Sequence, residues 1–387
     1  MLSIDVGFDG SCPQSLEGVR RDGESAFTIF PSWRASPGIT EDGIGRTTRL
    51  GFRVRNDAST SVTGTMHIDW QYGDAGPGAD RYSAIATCEL YMAHRDFCVV
   101  GPPDDEQWEY VIGNVTASVS TFEVVFEPGI TEVHWHPDYN YSRGEAFVES
   151  LRDHPLATVE LLGNSGEGRN MWRVRISDDR DCARKPFLIL ARSHAYESGG
   201  SYMMEGMVNY LLDDNPWAAA ARRDWEFHII PMANPDGVAN GLGKLTTPAG
   251  RDVQWALPVS DDPTYVTLMQ GVKRVKPAYV VDLHNWQTKG VDGAVGMDAE
   301  RWQRLQEFLP SVRSFGKRWW WRGPSDTLIL PDGRQTLRSF CRERFGAHGV
   351  AFECGWFGRQ PEDVRALGTE LIRGVLLVEE QWDSTYR

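Results

Sequence analysis

The chain of 387 residues is short of several features that would have pointed to other protein classes. Its six cysteines, Cys12, Cys88, Cys98, Cys182, Cys341 and Cys354, include no Cys-x-x-Cys pair. That argues against a cysteine-based zinc site and for free thiols in a cytosolic chain rather than a disulfide framework. No apolar run approaches the roughly 20 residues of a membrane span. The start, "MLSIDVGFDGSCPQ", lacks a basic region followed by an apolar stretch, so no signal peptide is expected and the expected location is cytoplasmic. Positive charge is also in deficit: 40 Lys and Arg face 54 Asp and Glu, a net charge of −14. This balance argues against nucleic acid or an anionic membrane as partner. What remains is 41% hydrophobic and 24% charged, the composition of an ordinary globular protein. The length suits two domains whose cores need no disulfide staples.

Two rhythms divide the chain. In the first third, "TTRLGFRVRND", "SVTGTMHIDWQYG" and "EQWEYVIGNVTASVSTFEVVFEPGITEVHWH" alternate apolar and polar residues and break at Gly, Asn, Asp and Pro. This pattern predicts an antiparallel β-sandwich domain over residues 1–138. From residue 139 to 387 strands alternate with helices. "KPFLILARS", "WEFHIIPMA", "PAYVVDLHNW" and "GVAFECGWFG" read as strands. "GEAFVESLRDHP", "SYMMEGMVNYLLDDNP", "ERWQRLQEFLPSVRSF" and "EDVRALGTELIRGVLLVEEQW" read as helices, and "ATVELLGNS" and "NMWRVRISD" as two strands joined by a turn. The expected fold class is α/β, a mainly parallel twisted sheet with helices on both faces. There is no internal repeat and no low-complexity tract.

Ligands of open α/β sheets bind beyond the carboxyl ends of strands. His194 and Glu197 follow "FLILARS" and precede a Ser-Gly-Gly turn; His284 follows "AYVVDL"; Glu353 follows "GVAF". Each is weak alone, because His-x-x-Glu is common and a lone histidine is more often a hydrogen-bonded core residue. Together, two histidines and a glutamate make a three-ligand catalytic zinc set with a fourth position open to water. A further carboxylate could take that water's proton.

In "YNYSRGEAFVESL", "LLGNSGEGRNMWRVRISD", "LILARSHAYESGGSYMMEGMVNYLL", "IIPMANPDGVANG", "PAGRDVQW", "VVDLHNW" and "VAFECGWFG" the chain resembles the zinc metallocarboxypeptidases, within them the cytosolic carboxypeptidase-like branch. The resemblance runs from about Tyr139 to the C-terminus, and the order of the motifs is more specific than any one of them. It implies a carboxypeptidase-like fold and one Zn2+ per chain, held by His194, Glu197 and His284. Glu353 would be the general base that later returns the proton to the leaving amine. Asp282 is either a carboxylate supporting a ligand or a solvated strand residue. Asn234 to Gly237, "NPDG", reads physically as a tight turn after a strand, with Asn234 shaping the substrate site.

Three departures bear on the substrate. Where the resemblance leads one to expect an oxyanion-holding arginine there is Lys244, with Arg251 further on; either could stabilise developing negative charge, lysine as a point charge without a fork. Where an Asn-Arg pair would grip a C-terminal carboxylate there are Gln254 and Trp255, and indole offers one neutral donor. No tyrosine lies between Gln287 and Glu353; the segment holds "KRWWWRGP", whose aromatics either line a cleft or pin a loop. "HWH", His134 and His136, puts two imidazoles on one strand face, with no third ligand evident. The expected function is a zinc-dependent hydrolase acting on a peptide or other amide or ester substrate. The carboxypeptidase version is weighed against an amidase, deacylase or esterase needing no free carboxylate. A binding module that has lost catalysis is disfavoured by the intact set of four.

Overall fold

A computed structural model describes residues 1–31, 49–70, 95–103, 105–116, 119–178, 184–256, 260–285, 289–309, 318–324 and 335–386. Parts of the sequence-predicted elements, such as 310–315 of the third helix and Trp286 of "VVDLHNW", lie outside them. The chain forms two compact units. One is Met1–Ser142 with His194–Ser198 and Asp236–Asp252; the other is Arg143–Ser193, Gly199–Pro235 and Val253–Arg387.

The first unit holds strands β1 (Leu2–Asp5), β2 (Val19–Arg21), β3 (Ala26–Ile29), β4 (Gly51–Asn56), β5 (Val62–Asp69), β6 (Phe97–Gly101), β7 (Glu109–Ile112), β8 (Asn114–Thr116), β9 (Val119–Phe126) and β10 (Gly129–His134). They make two five-stranded sheets, ordered β1-β4-β10-β6-β7 and β2-β3-β5-β9-β8. Every pairing is antiparallel except β3 with β5. The alternation in the sequence is the alternation of burial. Gly64, Met66 and Ile68 of β5 and Ser120, Phe122, Val124 and Phe126 of β9 turn inward, and the residues between them face outward. Phe27 and Phe52, one from each sheet, meet edge to face with centroids 6.1 Å apart. Arg95 lies fully buried over the Trp70 ring at 3.7 Å, a cation stacked on an aromatic face.

The helices are α1 (Tyr141–Ser150), α2 (Ser198–Leu212), α3 (Pro216–Asp224), α4 (Pro235–Ala239), α5 (Pro263–Val275), α6 (Ala299–Phe308), α7 (Leu337–Phe345) and α8 (Pro361–Tyr386); all belong to the second unit except the first residues of α1 and α2 and all but the first residue of α4. The strands of the second unit are β11 (Ala157–Asn164), β12 (Asn170–Ile176), β13 (Lys185–Ala191), β14 (Trp225–Ile230), β15 (Trp255–Ala256), β16 (Tyr279–His284), β17 (Val291–Val295), β18 (Arg318–Arg322), β19 (Gln335–Thr336) and β20 (His348–Glu353). The main sheet runs β11-β12-β14-β13-β16-β20-β17-β18. Its centre, β14-β13-β16-β20, is parallel as the sequence predicts. These strands are continuous apolar runs because both faces are covered; Phe187 to Ala191 and Tyr279 to Leu283 include no exposed residue. The flanks are mixed. β12 joins antiparallel on one side and β17 on the other, so the sheet is less uniformly parallel than the rhythm suggested.

Helices α3, α5 and α7 were not anticipated. α5 carries plain start signals, Asp262 capping the Thr264 and Tyr265 amides and Pro263 opening the helix, and it ends at Lys276 in the left-handed region. Its buried face includes Thr264, Thr267 and Gly271, which blurs the apolar period. Most of the described part of "KRWWWRGP" is strand rather than loop. It forms the edge strand β18, with Trp319 packed on Trp302 and Phe352, and Trp321 Nε1 donating to the Met297 carbonyl at 3.0 Å. Cys12, Cys98, Cys341 and Cys354 are buried.

Candidate metal centre

The apolar run of β13 ends at Ala191, and Arg192 then takes a left-handed conformation, φ 60°, while fully buried. This bend is held by the segment that follows β14: the Ala233 amide donates to the Ala191 carbonyl at 3.0 Å and the Asn234 amide to the Arg192 carbonyl at 3.1 Å. The chain then turns through His194 and Glu197, the Glu197 amide donating to the His194 carbonyl. The loop is braced. Arg49, paired with Asp138 at 2.9 Å, donates to the Ala195 carbonyl; the Ser198 hydroxyl donates to the Pro137 carbonyl at 2.7 Å and meets His136 Nδ1 at 3.2 Å. The Ser-Gly-Gly stretch is the first turn of α2 rather than a free turn. Gly199 and Gly200 are required there by space. A Cβ on Gly199 would stand 2.9 Å from the Trp356 indole nitrogen, and one on Gly200 would stand 2.7 Å from the Leu283 carbonyl oxygen.

His284 closes β16 with no exposed surface. In register beside it on β20 lies Glu353, half-buried, with Gly293 of β17 on its other side. A Cβ on Gly293 would come within 3.0 Å of the Glu353 Cβ, so glycine leaves room for this carboxylate.

His194, Glu197 and His284 each offer one ligand atom, and these atoms lie within 4.8 Å of one another; all three residues are buried. Among the described residues it is the only such group of three or more. His194 Nδ1 stands 2.9 Å from Glu197 Oε1. Each imidazole also meets an aspartate: His194 Nε2 is 3.4 Å from Asp252 Oδ1, and His284 Nε2 is 3.1 Å from Asp282 Oδ2. A carboxylate behind each histidine is the arrangement that orients imidazoles toward a metal. Burial works against a charged His194 and Lys244 adds to that, yet Glu197 and Asp252 outweigh them and hold its pKa above the usual value. Carboxylates gathered on a buried imidazole form a negative pocket that a cation would neutralise. Two nitrogens and a carboxylate oxygen are donors that zinc accepts, so the residues fit the ion.

The second carboxylates were not anticipated as a pair. Asp282 was left open between support and solvation, and it is 1% exposed and turned to His284. Asp252, two residues before Gln254, carries no local signal for this role.

Lys244 is half-buried on a loop tied to the ligand loop, the Tyr196 amide donating to the Gly243 carbonyl at 3.0 Å, and its charge acts on His194. Arg251 enters through its backbone, which closes the 246–251 loop onto Thr246. Asn234 is fully buried, and "NPDG" opens the short helix α4 rather than making a simple turn. The Gln254 carbonyl accepts from the Leu337 amide at 2.8 Å, and Trp255 pairs with Thr336 in the β15–β19 ribbon. His134 and His136 have structural company: His134 lies 3.3 Å from Glu132 and edge-on to Trp108, and His136 stacks on Trp135 and meets Ser198.

Residues 145–257 match the zinc carboxypeptidase family. The chain is 31% identical over 166 residues to cytosolic carboxypeptidase 1 of Homo sapiens, a match covering 40% of this chain and 13% of that one. In three dimensions it is similar to a metallo-carboxypeptidase from Burkholderia cenocepacia, with a TM-score of 0.78, 17% identity and coverage of 99% of this chain and 100% of the other. A putative carboxypeptidase A from Shewanella denitrificans gives a TM-score of 0.77 at 19% identity over 98% and 99%. Such low identities speak to the fold, which extends through the N-terminal sheets as well. Residues 145–257 are thus similar to the zinc carboxypeptidase family, the chain is similar over part of its sequence to the cytosolic carboxypeptidases, and its fold is that of metallocarboxypeptidases.

Proposed function

We propose that this protein is a zinc-dependent hydrolase of amide bonds, a metallocarboxypeptidase that removes residues from the C-terminus of a peptide. The observation that carries the reading is the convergence of His194 and Glu197, which lie in the stretch that matches the zinc carboxypeptidase family, with His284. Those three residues would hold one zinc ion. Zinc in such a site polarises a carbonyl and lowers the pKa of water to about 7. The remaining chemistry belongs to the chain. Glu353, at the end of the strand beside His284, takes a proton from the attacking water and returns it to the departing amine. Lys244, whose charge already reaches His194, stabilises the oxyanion as a point charge. Arg251, Gln254, Trp255 and Asn234 frame the substrate. Asp252 and Asp282 hold the two imidazoles in orientation.

Trp255 in place of a second arginine favours a second reading, an amidase, deacylase or esterase of the same fold. A carboxylate buried against indole would lack its paired charge. A peptide with a free C-terminus and the same peptide amidated separate the two readings. Preferential cleavage of the free form, by tenfold or more in kcat/KM, is expected of the carboxypeptidase; equal cleavage of both would establish the second.

A further inference from the structure

His284 has a charge standing behind its carboxylate. Asp282 lies two residues earlier on β16, and alternate residues of a strand share a face. This spacing sets Asp282 Oδ2 3.1 Å from His284 Nε2. The carboxylate is 1% exposed, so water does not solvate it, and a buried charge needs a partner. Helix α7 brings one. Arg338, in its first turn, places Nε 3.9 Å from that same Oδ2.

Arg338 is well held. Its Nη1 donates to the Val295 carbonyl at the end of β17. The helix start is fixed by the Leu337 amide on Gln254 and by Thr336, which caps Ser339 and pairs with Trp255. The guanidinium is 11% exposed. Burial pulls its pKa down while Asp282 and Glu353 pull it up, so its charge faces both carboxylates. The Val295 hydrogen bond would suffice to tie α7 to β17. The approach to Oδ2, the oxygen that meets the imidazole, is what ties Arg338 to the metal centre.

We infer that Arg338 is a positioning residue for zinc: it holds the Asp282 carboxylate, which holds the His284 imidazole in ligating orientation. The inference rests on the zinc reading of His194, Glu197 and His284. Second-sphere partners of zinc histidines typically change metal affinity by about 10- to 100-fold, and one step further out the lower end applies.

The test measures Zn2+ affinity of the metal-free protein by competition with a chromophoric chelator, alongside its thermal midpoint and steady-state kinetics. Arg338→Met removes the charge at similar length. Arg338→Gln, neutral but with a polar donor, repeats the measurement if the Met variant does not fold. Zinc affinity should fall about tenfold in either variant. Arg338→Lys should recover part of it as a point charge. Combined with Asp282→Asn, Arg338→Gln should weaken binding no further than Asp282→Asn alone, because the effect passes through Asp282. Wild-type zinc affinity in the neutral variants overturns the inference, as do additive losses in the double variant. A raised KM with zinc affinity and kcat unchanged also overturns it, placing Arg338 on the substrate instead. Absence of zinc binding by the wild-type protein would overturn the metal reading itself, a distinct outcome.

Discussion

At the scale of single residues, the reading of the site turns on Glu353. Its place at the end of an apolar strand is legible in the sequence, as are the places of His194, Glu197 and His284 at or just beyond strand ends. A Glu353→Gln variant should keep its zinc and lose about 10²- to 10⁴-fold in kcat, the usual contribution of a general base. Steady-state kinetics with metal analysis checks this, and full activity would remove Glu353 from its role. Away from the site, His228 is buried, with Nε2 2.8 Å from Glu226. Burial lowers its pKa to about 4, Glu226 opposing and Arg173 adding to the shift. The unfolded chain binds this proton nearer pH 6.5, so the neutral form stabilises the fold above that pH. Stability is lost as pH falls from about 6.5 toward 4. Thermal midpoints across this range should fall less steeply in His228→Gln than in the wild type.

Between elements, the turn after Glu353 is pinned by a buried ion pair. Asp292 of β17 accepts from Arg359 at 2.8 and 2.6 Å and from the Gly355 amide at 2.8 Å, and Arg359 also donates to the Gly355 carbonyl at 2.7 Å. Both side chains have no exposed surface. Removing one partner strands the other charge, which costs about 3–5 kcal/mol. Asp292→Ala should therefore lower denaturant stability by that order, while a surface pair such as Arg304 with Glu300 should contribute little when broken. Helices α2 and α8 approach until their backbones touch. A Cβ on Gly206 would meet the Arg365 carbonyl oxygen at 1.9 Å, and one on Gly368 the Met203 carbonyl oxygen at 2.1 Å. Both helices were legible from their periodicity, but this closeness was not, because the two glycines are far apart in the chain.

Across the whole molecule, a ligand that binds only the folded state raises stability by mass action. Zinc at 100 times its Kd would add about 2.7 kcal/mol. Elemental analysis should find about one zinc per chain, as three-ligand catalytic sites hold. Exhaustive chelation should lower the thermal midpoint and restored zinc should raise it; an unchanged midpoint and no uptake would exclude the metal site. Among the described residues no helix is long and apolar enough to cross a membrane. The parallel centre of the main sheet was legible because βαβ units leave continuous apolar strands separated by helical periods. Its mixed flanks were not, since the direction of a flanking strand depends on the path of its connection rather than on its residues.

The sequence by itself determined where the strands end and which imidazoles and carboxylates stand at those ends, because both are matters of local spacing. Only the tertiary structure decided the company each keeps. Asp252 reaches His194 across 58 positions and Arg338 reaches Asp282 across 56. Pairings that distant follow from the order of β13, β16 and β20 and from where α7 docks, and no residue pattern along the chain encodes them. The same packing made an edge strand of "RWWWR" and turned "NPDG" into a helix start. Backbone hydrogen bonds and burial against neighbours, rather than local propensity, settle the conformation of such short segments.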